Sequence, residues 1–240
     1  MIRTFLFMVL WWINSAFGAV EINAYNTRLD IAPDGSATAS VSLILAKGEP
    51  GRFRLPVGFA GLEAFAVQDV PSGVVLTPRP SLDQSSVEID LPIDVSDDVV
   101  LAFTFKIPKL LFAPIPEEGQ KSTLPDGSRL LRHNFVNTQA ATIMKYQLQV
   151  RLPDETMVHM IREQLPKTKR KEFAPRVELD RFEGRQGALL QLANLKQGDR
   201  TSMELEVVGD RRSYGWLIAG LVLILGYLVS FRDLVNTDGR

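Results

Sequence analysis

Residues Tyr214 to Phe231 read YGWLIAGLVLILGYLVSF, a run without a single charge. At about 1.5 Å per residue a helix of this length crosses a hydrocarbon core, and in lipid only a helix satisfies every backbone polar group within the segment. The run predicts a transmembrane helix over 214–231 with a short tail, 232–240, beyond it. Everything before it is then a body held at a membrane.

The predicted helix has a face. At about 100° per residue, Gly215, Ala219, Val222, Gly226 and Ser230 fall on one stripe of mostly small residues. Close approach of backbones drives helices together in bilayers, so this stripe predicts a transmembrane protein partner or self-association through the helix. Tyr214, Trp216 and Tyr227 suit the two membrane interfaces.

At the other terminus Arg3 precedes an apolar run from Phe5 to Ile13, and Ala16 and Gly18 satisfy the small-x-small rule for cleavage before Ala19. Residues 1–18 therefore read as a signal peptide, an uncleaved anchor being the alternative. Either places the middle of the chain outside the cytoplasm and the C-terminus inside. Arg211 and Arg212, on the outer flank of the helix, are balanced only by Arg232 and Arg240, so the leader decides the orientation. The chain has no cysteine, which excludes disulfides and thiolate metal sites. An exported body without cysteine fits the envelope of a bacterium, anchored in its inner membrane, better than eukaryotic secretion.

Residues 19–108 carry short runs rich in Val, Ile, Phe and Thr between turn residues, the pattern of an immunoglobulin-like β-sandwich. Expected strands are Ile22–Ile31, Ala37–Leu45, Phe53–Val57, Leu62–Asp69, Val74–Pro78, Val87–Leu91 and Val99–Ile107. Pro33-Asp34-Gly35-Ser36 joins the first two as a hairpin. In the second, Ala37, Ala39, Val41, Leu43 and Leu45 share one face and Thr38, Ser40 and Ser42 the other, until Ile44 breaks the alternation. Residues 109–128 contain several prolines and read as a linker or long loop. Leu110, Leu111, Phe112 and Ile115 within it either pack into the body or form a contact patch. Strand text resumes over 129–209, with Arg129–Asn137, Thr142–Leu152, Met157–Arg162, Val177–Phe182, Ala188–Ala193 and Thr201–Val208. The body is thus one large sandwich or two in tandem, the second over 129–209. Lys167, Lys169, Arg170 and Lys171 form the one basic run, a solvated loop or a contact for anionic lipid headgroups.

The formal net charge is −1 with acids and bases mixed along the chain, which does not suggest a nucleic-acid partner. Arg52-Phe53-Arg54 is the sole fragment pairing an aromatic with basic groups. Of the two histidines, His159 lies in an apolar string and reads as a strand residue, while His133, between Arg132 and Asn134, reads as a polar face position. Neither has the spacing of a metal site, and no phosphate-binding or nucleophile motif occurs. Asp97-Asp98 and Glu117-Glu118 are adjacent acids, which point to opposite sides of a strand. No catalytic residue, metal or cofactor is predicted.

Two functions are compatible with this reading. The first is a non-catalytic accessory or interaction subunit of a membrane or envelope complex. The second is a surface carbohydrate-binding module or carboxylate-dependent hydrolase, against which stands the confinement of Trp11, Trp12 and Trp216 to the terminal apolar segments. Leu29-Asp30-Ile31-Ala32-Pro33-Asp34-Gly35-Ser36, followed by an alternating strand and then Gly51-Arg52-Phe53-Arg54-Leu55-Pro56, resembles the opening of bacterial membrane proteins with an exported β-domain of unknown function. The resemblance covers these residues only, lacks the acidic residue those strands often carry after the turn, and implies no activity.

Overall fold

The computed structural model describes residues 21–48, 50–92, 97–113, 127–165, 176–209 and 220–227. The chain up to Gly209 is one compact unit, mainly β, and residues from Asp210 form a second.

A seven-stranded sheet dominates the first unit. Its order is β12 (Arg176–Phe182), β13 (Arg185–Leu195), β10 (Ile143–Arg151), β1 (Glu21–Ile31), β2 (Ala37–Lys47), β7 (Val99–Ile107) and β4 (Glu63–Asp69). A four-stranded sheet runs β11 (Thr156–Leu165), β14 (Arg200–Gly209), β9 (Arg129–Val136), β8 (Leu111–Phe112), and a three-stranded one β3 (Gly51–Pro56), β6 (Ser86–Leu91), β5 (Val75–Arg79). Strands from 19–108 and from 129–209 are neighbours in the large sheet, because β1 lies parallel to β10 from Ile22 beside Ile143 to Asp30 beside Arg151. The boundary expected at 109–128 therefore does not divide the fold.

Alternation placed the core. Ala37, Ala39, Val41, Leu43 and Leu45 of β2 are all buried, as are Leu101, Phe103, Phe105 and Ile107 of β7 and Tyr146, Leu148 and Val150 of β10. They join inner residues of the other two sheets in one hydrophobic cluster. Ile44 breaks the pattern of β2 because it sits between Ala24 and Val100 on the outer face. The β1–β2 turn closes as its sequence requires: Gly35 has φ 87°, and Asp34 Oδ1 accepts from the Ser36 amide (2.9 Å) and hydroxyl (2.7 Å). Both bonds hold the exposed Asp34 carboxyl below its usual range.

The turn explains part of the expected linker. Gly35 O accepts from the amides of Leu110 (2.9 Å) and Leu111 (3.0 Å), and both side chains are buried. Leu111 and Phe112 pair with β9 as a short strand that the proline content concealed. Leu110 and Leu111 thus belong to the core and not to a contact patch. Phe112 is half-buried, with the Arg132 guanidinium 5.2 Å from its ring centre. Ile115 lies outside the described residues.

In the second unit, residues 220–227 are helical. Among the described residues no helix is long and apolar enough to cross a membrane. Residues 214–219 and 228–231 of the expected span, with Gly215, Ala219 and Ser230, lie outside them, as do the signal peptide, the tail and Lys167, Lys169, Arg170 and Lys171.

Candidate functional site

The outer face of the seven-stranded sheet holds an open hollow of about 330 Å³. Strand period and register build it. Side chains alternate across a sheet, so those between the core residues of β1, β2, β7 and β10 face outward together. One cross-strand row is Gln147, Asn26, Ser42 and Ala102. The next is Gln149, Arg28, Ser40 and Thr104, with Gln68 of the edge strand donating to Thr104 Oγ1 at 3.3 Å. Amides and small hydroxyls line this floor. Such groups hydrogen-bond in both directions and hold no proton to transfer near neutral pH.

Arg28 is its one formal charge, and it belongs to a cluster at the end of the strands in which three guanidiniums meet two carboxylates. Arg28 Nη2 donates to Glu183 Oε1 at 3.0 Å, and Arg28 Nε stands 3.5 Å from Asp30 Oδ2. The buried Arg151 joins both acids, through Nη1 to Asp30 Oδ1 (2.9 Å) and Nη2 to Glu183 Oε2 (2.5 Å), and Arg185 adds a bond of 3.0 Å to Asp30. Glu183 reaches into this set from the β12–β13 turn, where it and Gly184 have φ of 53° and 84°, the paired positive values of a tight hairpin. The hydrogen bond from Arg28, with the charge of Arg151, holds its carboxyl below the usual range.

His133 is not on a polar face. It follows Leu131 and precedes Phe135 on the inner side of β9, and its exposure is 1%. Its Nε2 is hydrogen-bonded to Tyr146 Oη at 2.7 Å, while Nδ1 has no partner. Burial pushes its pKa down to about 3, so the imidazole is neutral. Phe59 (4.8 Å between ring centres), Phe135 and Tyr146 enclose it. Burial also pushes the hydroxyls of Tyr146 and of Tyr25 above their ordinary value, and Tyr25 Oη donates to Pro56 O at 2.9 Å. This cluster joins the three sheets; sealed in the core, its imidazole is out of reach of a substrate.

The remaining sequence candidates are dispersed. His159 is exposed on β11. Arg52 is paired with Glu88 (3.3 Å) and Asp90 (2.9 Å), so its fragment is not a free basic patch. Asp98 accepts from Asn23 at 3.1 Å, and Glu117 and Glu118 lie outside the described residues. Among the described residues no group of three His, Asp or Glu is arranged to hold a metal ion. The hollow was missed because its polar residues are far apart in sequence, although each lies in an alternating strand.

No family model matches the sequence, and no curated protein does. Among solved structures, one from Parabacteroides distasonis described as a candidate protease aligns at a TM-score of 0.42 and 9% identity, over 78% of this chain and 40% of that one. An M1 zinc metallopeptidase from Deinococcus radiodurans aligns at a TM-score of 0.39 and 13% identity, over 79% of this chain and 43% of that one. The chain thus spans less than half the length of the structures it matches.

Proposed function

We propose that the chain is a non-catalytic, single-pass protein of a bacterial inner membrane, an accessory or interaction subunit whose immunoglobulin-like β-sandwich stands outside the cytoplasm. The observation that carries this reading is the helix at 220–227. Leu221, Val222, Leu223, Ile224, Leu225 and Tyr227 are each more than half exposed, so apolar side chains face outward all round. Such a helix is stable where lipid or another helix covers it. The seven- and four-stranded sheets, sharing one core, support the sandwich.

Gly226 and Val222 lie in this helix and belong to the small-residue stripe. The full-length protein, extracted in mild detergent, is expected to bring a defined set of membrane proteins with it. Gly215→Leu combined with Gly226→Leu should remove that set without reducing the amount of protein in the membrane. Retention of every accompanying protein by the double variant would refute the helix partner, and a wild-type chain that purifies alone would refute the subunit reading.

A further inference from the structure

We infer that segment 57–61 is an acid-released cover over His133, which closes the body at neutral pH and lifts when the imidazole takes a proton, baring Val57 and Phe59. The inference goes beyond the subunit reading and concerns the body alone.

The three sheets meet at this ring and hold it unequally. His133 stands in β9 opposite Met203 of β14, and its Nε2 is bonded to Tyr146 Oη of β10. β9 is tied to β14, and β10 to β1, by continuous ladders. The remaining side is closed by segment 57–61, which follows β3 and belongs to no strand. A Cβ on Gly58 would meet the imidazole Cε1 at 2.3 Å, and the ring of Phe59 lies 4.8 Å from it between centres. Tyr25 Oη anchors the start of the segment through Pro56 O. Beyond that point Val57 N donates to Ser85 O (3.1 Å), Ser85 N to Phe59 O (2.8 Å) and Gly61 N to Ser81 O (3.1 Å), all within the turn that joins β5 to β6. Toward β9 the backbone contact is weaker: Asn134 N reaches Gly58 O at 3.4 Å.

Protonation makes this enclosure unfavourable. An imidazolium carries two N–H donors, and Nδ1 has no hydrogen-bond partner in the closed body. The titratable groups on the elements packed around the ring are the hydroxyls of Tyr146 and of Tyr25 behind it, both held above their ordinary value by burial and so uncharged. Met203, Leu131, Phe135, Gly58 and Phe59 bring no charge. Arg132 and Glu204 pair with each other on the opposite face of the four-stranded sheet. A buried cation without a counter-charge is costly, so the charged ring must reach water. Parting β9 from β14, or β10 from β1, would undo a whole ladder, whereas lifting the cover breaks the few bonds just named. Val57 and Phe59, 1% and 4% exposed when closed, are the apolar surface that opening bares.

With the cover open the ring regains its ordinary pKa of 6.5, against about 3 when closed. Opening therefore becomes about tenfold easier for each pH unit below ~6.5. Hydrogen–deuterium exchange of the full-length protein in detergent, read by mass spectrometry and corrected for the intrinsic rate at each pH, measures it. Peptides carrying Val57, Gly61 and Ser85 are expected to lose about 30-fold of their protection between about pH 7.5 and about pH 5. Peptides of β2 and β7, central in the seven-stranded sheet, should stay more protected throughout, because their amides exchange only through wider opening. His133→Gln should flatten the profile. Tyr146→Phe removes a hydrogen bond but no titrating group from His133, so it should raise opening roughly tenfold at every pH and keep the slope. The inference is overturned if the wild-type protection of Val57, Gly61 and Ser85 does not change with pH, or if His133→Gln keeps the slope. It is overturned equally if these peptides are no less protected than β2 and β7, since the opening would then be global. The wild-type profile decides alone where a variant fails to fold.

Discussion

Gly58→Ala is expected to destabilise the body by about 4 kcal/mol, combining ~1–3 kcal/mol for a positive φ with ~1–3 kcal/mol for overpacking. Gly58 has φ +79°, and a Cβ there would stand 2.3 Å from His133 Cε1. The imidazole has nowhere to go. Phe59, Phe135 and Tyr146 surround it, and its bond to Tyr146 fixes the ring. Urea unfolding of the full-length protein, followed by tyrosine circular dichroism in the near ultraviolet, measures the loss as a lower midpoint with unchanged slope. Gly198→Ala separates the two causes. Gly198 also has positive φ (+83°), but a Cβ there meets nothing within 4 Å, so only ~1 kcal/mol should go. Equal losses would contradict the clash at His133.

Stability should also fall on mild acidification, by about 1.4 kcal/mol per pH unit below pH ~6.5. The folded imidazole of His133 takes a proton only near pH 3, against an ordinary value of 6.5. Between those values the unfolded chain binds the proton and the folded chain does not, so the contribution is complete above about 6.5 and drains as pH falls toward about 3. The carboxyls of Glu183 and Asp34 are shifted down as well, below their usual range. Their contributions are present above that range and disappear only in stronger acid, which leaves the interval from about 6.5 to about 5 to His133. His133→Gln keeps a polar partner for Tyr146 but cannot titrate there. Its stability should be flat across that interval while the wild type slopes; a flat wild type, or a variant that keeps the slope, would contradict a buried neutral imidazole.

What the sequence disclosed and what it hid follow from the range of the forces involved. Period-two patterning is local, so the inner faces of β2, β7 and β10 were readable from Ala37 to Leu45, Leu101 to Ile107 and Tyr146 to Leu152. The turn at Pro33 to Ser36 was readable for the same reason. Register between distant strands is not local. Nothing near Asn26 or Arg28 says that Gln147 and Gln149 will lie beside them, since the parallel pairing of β1 with β10 joins residues separated by most of the body. The hollow therefore stayed invisible, although Ser40 and Ser42 were separated from the apolar face of β2. His133 was misread from its sequence neighbours, Arg132 and Asn134. Its partners at two-residue spacing, Leu131 and Phe135, carried the correct signal. The prolines after Pro108 likewise masked the pairing of Leu111 and Phe112 with β9, a contact between residues distant in sequence.

The central claim, an exported body on a single membrane helix, is tested most directly by the side of the membrane on which each end lies. Because the chain has no cysteine, one introduced thiol reports unambiguously. Leu82→Cys, at a fully exposed position of the body, and Asn236→Cys, in the tail, are expressed separately and treated with a membrane-impermeant maleimide in intact spheroplasts. The account predicts that both proteins sediment with the membrane, that Leu82→Cys is labelled at once, and that Asn236→Cys is labelled only after permeabilisation. Labelling in the reverse order, or recovery of the full-length protein in the soluble fraction, would contradict it.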